Sequence, residues 1–147
     1  MSARPELSHD LHIHCLCGAV RLVASPPVLC AGHCHCDNCR WTHGAAMWTW
    51  ITFERERVTP EPGSEPLVDY LSVSGATRSF CGRCGTSLAY RSPDAPTEVD
   101  LSLANVVEDY SPKFVAHCWA GRAPDWHPIP DDGLPRTERG SASPELT

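Results

Sequence analysis

Cys81-Gly82-Arg83-Cys84-Gly85 is answered far upstream by Cys15-Leu16-Cys17-Gly18, and the fold turns on how these two motifs are read together. Four thiols in two close pairs are the usual ligand count of a closed, tetrahedral zinc site. Alternate residues of a strand point to one face, so Cys15 and Cys17 can reach the same ion. Gly82 and Gly85 supply the tight turn that folds the Cys81 and Cys84 thiolates around it. The pairs lie more than sixty residues apart, so a shared ion ties together distant strands. Such a site contributes on the order of 10 kcal/mol to folding in small zinc domains.

Between the pairs stands Cys34-His35-Cys36-Asp37-Asn38-Cys39, three thiols within six positions. Three protein ligands leave zinc a coordination position for water or substrate, which separates catalytic from structural sites. A soft, thiolate-rich site favours a thiol as fourth partner, and the bound thiol ionises readily. Two other readings stand beside this one. Cys30, His33, His35 or His43 can complete a second closed site, or the three thiols serve metal-free as redox cysteines. Cys30 and Cys118, in apolar contexts, read as buried small hydrophobes. His9, His12 and His14 alternate like a metal tract, although an exposed strand edge or tail gives the same pattern. His117, Trp119 and Trp126 read as pocket lining or as core aromatics.

Moving outward, 147 residues suit one domain that buries a core without disulfides. Nine cysteines, an odd number at close spacing, point to metal ligation in a reducing compartment, hence a cytoplasmic location. The first ten residues are polar and contain no apolar signal region, and no stretch has the length of a membrane span. The formal charge is −6, and thiolate-bound metal lowers it further. No cluster of Lys and Arg is available for a phosphate backbone, so neither nucleic acid nor membrane is an expected partner.

Most of the chain reads as short strands between turns, which makes the fold class mainly β. Leu11 to Ala24 weaves apolar and polar residues and stops at Pro26-Pro27; Val28 to Cys36 reads as a second strand. Asp37 to His43 predicts one helical turn with Asp37 as N-cap and Gly44 ending it. Strands are expected over Ala46 to Phe53, Leu67 to Val73, Ser87 to Tyr90, Val99 to Leu103 and Phe114 to Trp119. Val58 to Pro66, with three prolines and a glycine, reads as a loop. Prolines 124, 128, 130 and 135 argue against regular structure beyond Gly121, and the last residues read as a tail.

Taken together, Cys15-x-Cys17-Gly18, Cys34-His35-Cys36-x-x-Cys39-Arg40 and Phe80-Cys81-x-x-Cys84-Gly85-Thr86 resemble the glutathione-dependent formaldehyde-activating enzyme family, which includes centromere protein V. The likeness continues through Glu98 to Ala104, His117-Cys118-Trp119, Ala123 to Trp126 and Asp132 to Arg136. It implies a single domain over residues 11–136, with flexible tails at 1–10 and 137–147. It further implies twisted antiparallel β-sheets with zinc-knuckle turns. Two Zn²⁺ per chain follow from the resemblance: a structural ion on Cys15, Cys17, Cys81 and Cys84, and a catalytic ion on Cys34, Cys36 and Cys39. The implied activity is that of a carbon–sulfur lyase that joins a glutathione-like thiol to a small aldehyde, as in formation of S-(hydroxymethyl)glutathione.

No short motif marks a glutathione subsite; Arg40, Arg83, Arg91 and Arg122 are the arginines considered for its carboxylates, and Asp37, Asn38 or His35 for the aldehyde. The alternative function is a non-catalytic zinc-binding interaction module. Oligomeric state is not written in the sequence.

Overall fold

The computed structural model describes residues 6–138; the remainder of both predicted tails lies outside the described residues. Ten strands form two sheets around one short helix. The chain runs β1 (Leu11–His14), β2 (Arg21–Ala24), β3 (Cys30–Cys34), α1 (Asp37–His43), β4 (Trp48–Glu54) and β5 (Val58–Pro60). It continues through β6 (Leu67–Leu71), β7 (Thr77–Cys81), β8 (Ser87–Arg91), β9 (Glu98–Ser102) and β10 (His117–Cys118). The small sheet has the order β1-β2-β5, and the large one β10-β3-β4-β9-β8-β7-β6. No described helix is long and apolar enough to cross a membrane.

Alternation sorts the side chains. From the small sheet, Leu11, Ile13, Val20 and Leu22 turn inward onto Ile51, Phe53, Leu88, Val99 and Leu101 of the large sheet. Burying one such aliphatic or aromatic side chain contributes about 1.5–3 kcal/mol. The opposite face of the large sheet carries a second cluster, with Trp48 and Trp50 packed on Cys34, Cys39 and Cys118. β4 is thus covered on both faces, which is why it reads as a nearly continuous apolar run. Close approach of Trp50 to β3 requires a glycine: a Cβ at Gly32 would lie 2.7 Å from the indole ring.

The mainly β class stands, with corrections to local detail. Leu11 to Ala24 is a hairpin rather than one strand, because the chain reverses through Cys15–Val20; the Cys15 amide bonds to the Val20 carbonyl at 3.1 Å. Val58–Pro60, expected to be loop, pairs with β2, and Pro60 closes the edge of that sheet where a missing N–H does no harm. The Thr77–Cys81 strand was not anticipated, since its alternation of small, basic and aromatic residues is weak; it pairs with both β6 and β8. The sheet is mixed rather than wholly antiparallel, because β10 joins β3 in parallel.

α1 begins on Cys36, not Asp37. The Cys36 sulfur accepts the Cys39 amide, whereas the Asp37 carboxylate pairs with Arg40 and Arg122. Gly44 ends the helix at φ +57°, as the sequence predicts. Leu7 packs against the core, and the Thr137 amide donates to the His117 carbonyl at 2.9 Å.

Candidate functional site

Two groups of thiols come together, and all nine cysteines are free of disulfides. Cys15 and Cys17 sit in the turn after β1; Cys81 ends β7 and Cys84 lies in the turn that follows. The four sulfurs lie within 4.8 Å of one another, with Cys15–Cys17 at 3.7 Å and Cys17–Cys81 at 3.8 Å. Four sulfurs at the usual zinc–sulfur bond length of about 2.3 Å on a tetrahedron stand about 3.8 Å apart. The donor set therefore fits that ion.

Backbone amides supply the rest of the cradle. Val20 N–H donates to the Cys15 sulfur at 3.2 Å. Thr86 joins the two knuckles, accepting the Leu16 amide at 3.1 Å and lying 3.1 Å from the Cys84 sulfur. That Thr86 hydroxyl, with the Thr86 amide, draws the Cys84 thiol down to about 5. Gly18 and Gly85 adopt φ near +77° and +78°, which lets both turns close so tightly.

Cys34 ends β3, Cys36 caps α1 and Cys39 lies in its first turn, and their sulfurs form the second group, again within 4.8 Å. No fourth His, Cys or carboxylate joins it among the described residues. The imidazoles that sequence spacing offered as closing ligands are committed elsewhere. His33 bonds Thr49 at 2.8 Å, His35 bonds His117 at 2.9 Å, and His43 stacks on Trp48 at 4.6 Å. Cys30 stands opposite Thr52, four residues back along the strand from Cys34, or about 13 Å. It is partly rather than fully buried. His12 and His14 form no metal group; they pair with Glu108 and Glu61.

Electrostatics set the terms on which this triad could ionise fully. The thiols of Cys34 and Cys39 donate to the Cys36 sulfur and pull it far down. The same neighbours, with burial, push Cys34 far up. Cys39 rises to about 12: its bond with Cys34 works against the rise, but Cys36 and burial outweigh it. One thiolate is tolerated, and three require a positive ion among them.

Behind the motif a hydrogen-bonded relay runs from exposed Asp132 to two buried imidazoles. Asp132 accepts His117 Nε2–H at 2.9 Å, and His117 Nδ1 shares a hydrogen bond with His35 Nε2 at 2.9 Å. Burial and then His117 lower His35 to about 4, keeping it neutral. The relay fastens the Asp132 segment to the Cys34–Cys36 turn. His35 is thereby turned away from the triad.

The triad opens into a cavity of about 1090 Å³, and the four-sulfur group contributes none of its cysteines to the lining. A rung of the large sheet forms one wall: Cys30, Thr52, Asp100, Tyr90 and Arg78, paired in that order across β3, β4, β9, β8 and β7. Asp37, Asn38 and Trp119 line it too, while His117 does not. Trp126 is exposed instead of contributing a pocket wall.

The four arginines considered from sequence are all in ion pairs. Arg40 and Arg122 hold Asp37, Arg83 holds Glu65 and Arg91 holds Asp69. Arg78, Tyr90, Trp48 and Asp100 went unnoticed. The available signal was the period-two spacing that puts Arg78 with Phe80, and Glu98 with Asp100, on one face.

Comparison with known proteins bears on this geometry. Residues 10–122 match the family model described as glutathione-dependent formaldehyde-activating enzyme. A curated protein of Schizosaccharomyces pombe, named an uncharacterized lyase, is 33% identical over 104 residues, covering 65% of this chain and 69% of that protein. A crystal structure of a Rhodobacter sphaeroides protein superposes with a TM-score of 0.55 at 26% identity, covering 69% of this chain and 91% of the other.

Proposed function

This chain belongs to the glutathione-dependent formaldehyde-activating enzyme family, and from that premise we propose that it is a zinc-dependent carbon–sulfur lyase-type enzyme acting on a thiol and a small aldehyde. Cys15, Cys17, Cys81 and Cys84 hold a structural ion, and Cys34, Cys36 and Cys39 a catalytic one. The observation that carries the reading is the contrast between the two groups. Four sulfurs close on themselves away from the cavity, whereas three sulfurs with no fourth protein ligand open into it.

Zn²⁺ at the triad supplies a positive charge that favours the ionised form of a thiol beside it. In the net reaction a sulfur–carbon bond forms and the carbonyl π bond becomes an O–H bond, the proton moving from the thiol to the carbonyl oxygen. Cys36 shapes both parts of the site, because its sulfur is a member of the triad and the cap that sets the pitch of α1. Trp48 and Trp50 exclude water from one side of the triad. Asp37 is held by Arg40 and Arg122, and Asn38 beside it lines the cavity and offers an amide donor for a carbonyl oxygen. Holding two small reactants together in a walled site supplies much of the rate gain.

Metal-loaded protein should form S-(hydroxymethyl)glutathione from glutathione and formaldehyde faster than Cys36→Ser protein, with the spontaneous rate subtracted. Metal analysis on the same samples should give two zinc ions per wild-type chain. Equal rates would reject the enzyme for this pair of substrates and leave a zinc-binding interaction module.

A further inference from the structure

Arg78 differs from Arg40, Arg91 and Arg122. Each of those three holds an aspartate, but no carboxylate pairs with Arg78 among the described residues. Its side chain runs to the triad instead. Nη2 lies 4.0 Å from the Cys39 sulfur, and the charge favours the ionised form of both Cys36 and Cys39. Nη1 is buried and has no hydrogen-bond partner among the described residues. Tyr90 fixes the guanidinium by cation–π contact, with the ring centre 4.8 Å away.

A guanidinium stays charged at any working pH, and holding it partly out of water is costly unless an anion meets it. The triad supplies that anion, and the need is mutual. Zn²⁺ among three thiolates keeps one net negative charge, in a cluster otherwise made of Trp48, Trp50, Ala116 and Cys118. Arg78 cancels it. His43, also within reach of Cys36, is lowered to about 4 by burial and then by the Arg78 charge, so it brings no charge of its own.

Resting on the catalytic zinc proposed above, we infer that Arg78 is a positioning residue for that ion. Its guanidinium is the fixed counter-charge of the three thiolates, and it sets how tightly the triad holds metal. It acts through the Cys36 and Cys39 sulfurs and takes no coordination position itself. Tyr90 keeps it aimed at them.

The test competes zinc-loaded full-length protein against a chelator and counts the zinc left on each chain. Wild type should hold two ions. Arg78→Gln should bind the triad ion roughly ten- to a hundredfold more weakly, the usual effect of removing an outer partner of a metal ligand. The four-sulfur ion should be held as in wild type. Arg78→Lys, which keeps the charge but loses the planar fork, should recover part of the affinity, and Tyr90→Leu should lose part. In Cys36→Ser protein, whose triad is already broken, Arg78→Gln should change zinc binding no further.

An Arg78→Gln protein that holds both ions as tightly as wild type would overturn the role and leave the two-zinc reading standing. Equal weakening of both ions would also overturn it, because the arginine would then serve the fold as a whole. A wild-type chain that binds a single ion, unaffected by Cys36→Ser, would remove the triad metal itself and this role with it. If Arg78→Gln does not fold, Tyr90→Leu decides by the same criterion: selective weakening of the triad ion supports the role, and unchanged binding of both overturns it.

Discussion

Replacing Asp100 by Asn should stabilise this protein at neutral pH and remove a defined part of its pH dependence. Asp100 lies in β9 between Thr52 of β4 and Tyr90 of β8, on the cavity face of the large sheet. Burial pushes its carboxyl from 3.8 up to about 6; the hydrogen bond from Thr52, at 2.6 Å, works against the rise and the nearby Glu98 charge adds to it. A carboxyl raised that far costs about 3 kcal/mol more to ionise in place than in water. The direction follows from proton linkage. The folded state holds this proton more tightly than the unfolded chain does. The contribution is therefore present in full below about pH 4 and is lost as pH rises towards about 6.

Asn offers the same oxygen to Thr52 without a charge. Urea unfolding of wild type and Asp100→Asn, with zinc present, should thus give a difference that grows by about 2 kcal/mol between pH 4.5 and 7.5, in favour of the variant. Metal-linked protons act equally on both proteins and cancel in the difference. A poorly placed amide nitrogen would add a constant offset and leave the slope unchanged. A difference that stays flat across this range would refute the argument.

The remaining expectations concern the metal knuckle and the β3–β4 contact. Cys84→Ser should bind one zinc fewer, and its melting temperature should fall close to that of chelator-treated wild type, because the ion joins segments far apart in sequence; an unchanged melting temperature with full zinc content would refute a structural role. Gly32→Ala should cost roughly 1–3 kcal/mol in urea unfolding and alter the near-ultraviolet dichroism, since the new methyl meets the Trp50 ring at 2.7 Å and one of them must move. Wild-type stability in that variant would mean that Trp50 packs loosely.

How well each element could be read depended on how local its cause was. Asp37–His43 and its Gly44 terminus follow from cap and spacing within a few residues, and they emerged directly from the sequence. The first cap was missed because a cysteine took the part usually played by a carboxylate, while Asp37 was drawn off by Arg40 and Arg122. Val58–Pro60 looks like a loop by composition and becomes a strand only because β2 offers it an edge. Thr77–Cys81 has little pattern of its own and is held between two neighbours. In each miss, a partner outside the run itself, whether a competing side chain or a neighbouring strand, overrode the local preference.

From the order of amino acids alone came the mainly β class and the division of seven cysteines into a four-thiol and a three-thiol group. Ligand spacing is a property of neighbouring residues, and strand and turn geometry already decide which thiols share a face. Tertiary structure alone showed that none of the nearby imidazoles completes the triad. It also placed Thr52, Asp100, Tyr90 and Arg78 side by side in one cavity wall. Those four come from four strands, and a register slip of one residue would turn any of them to the other face. Register is set by pairing between distant segments and by the core that pairing buries, so nothing in their immediate surroundings reveals their common position.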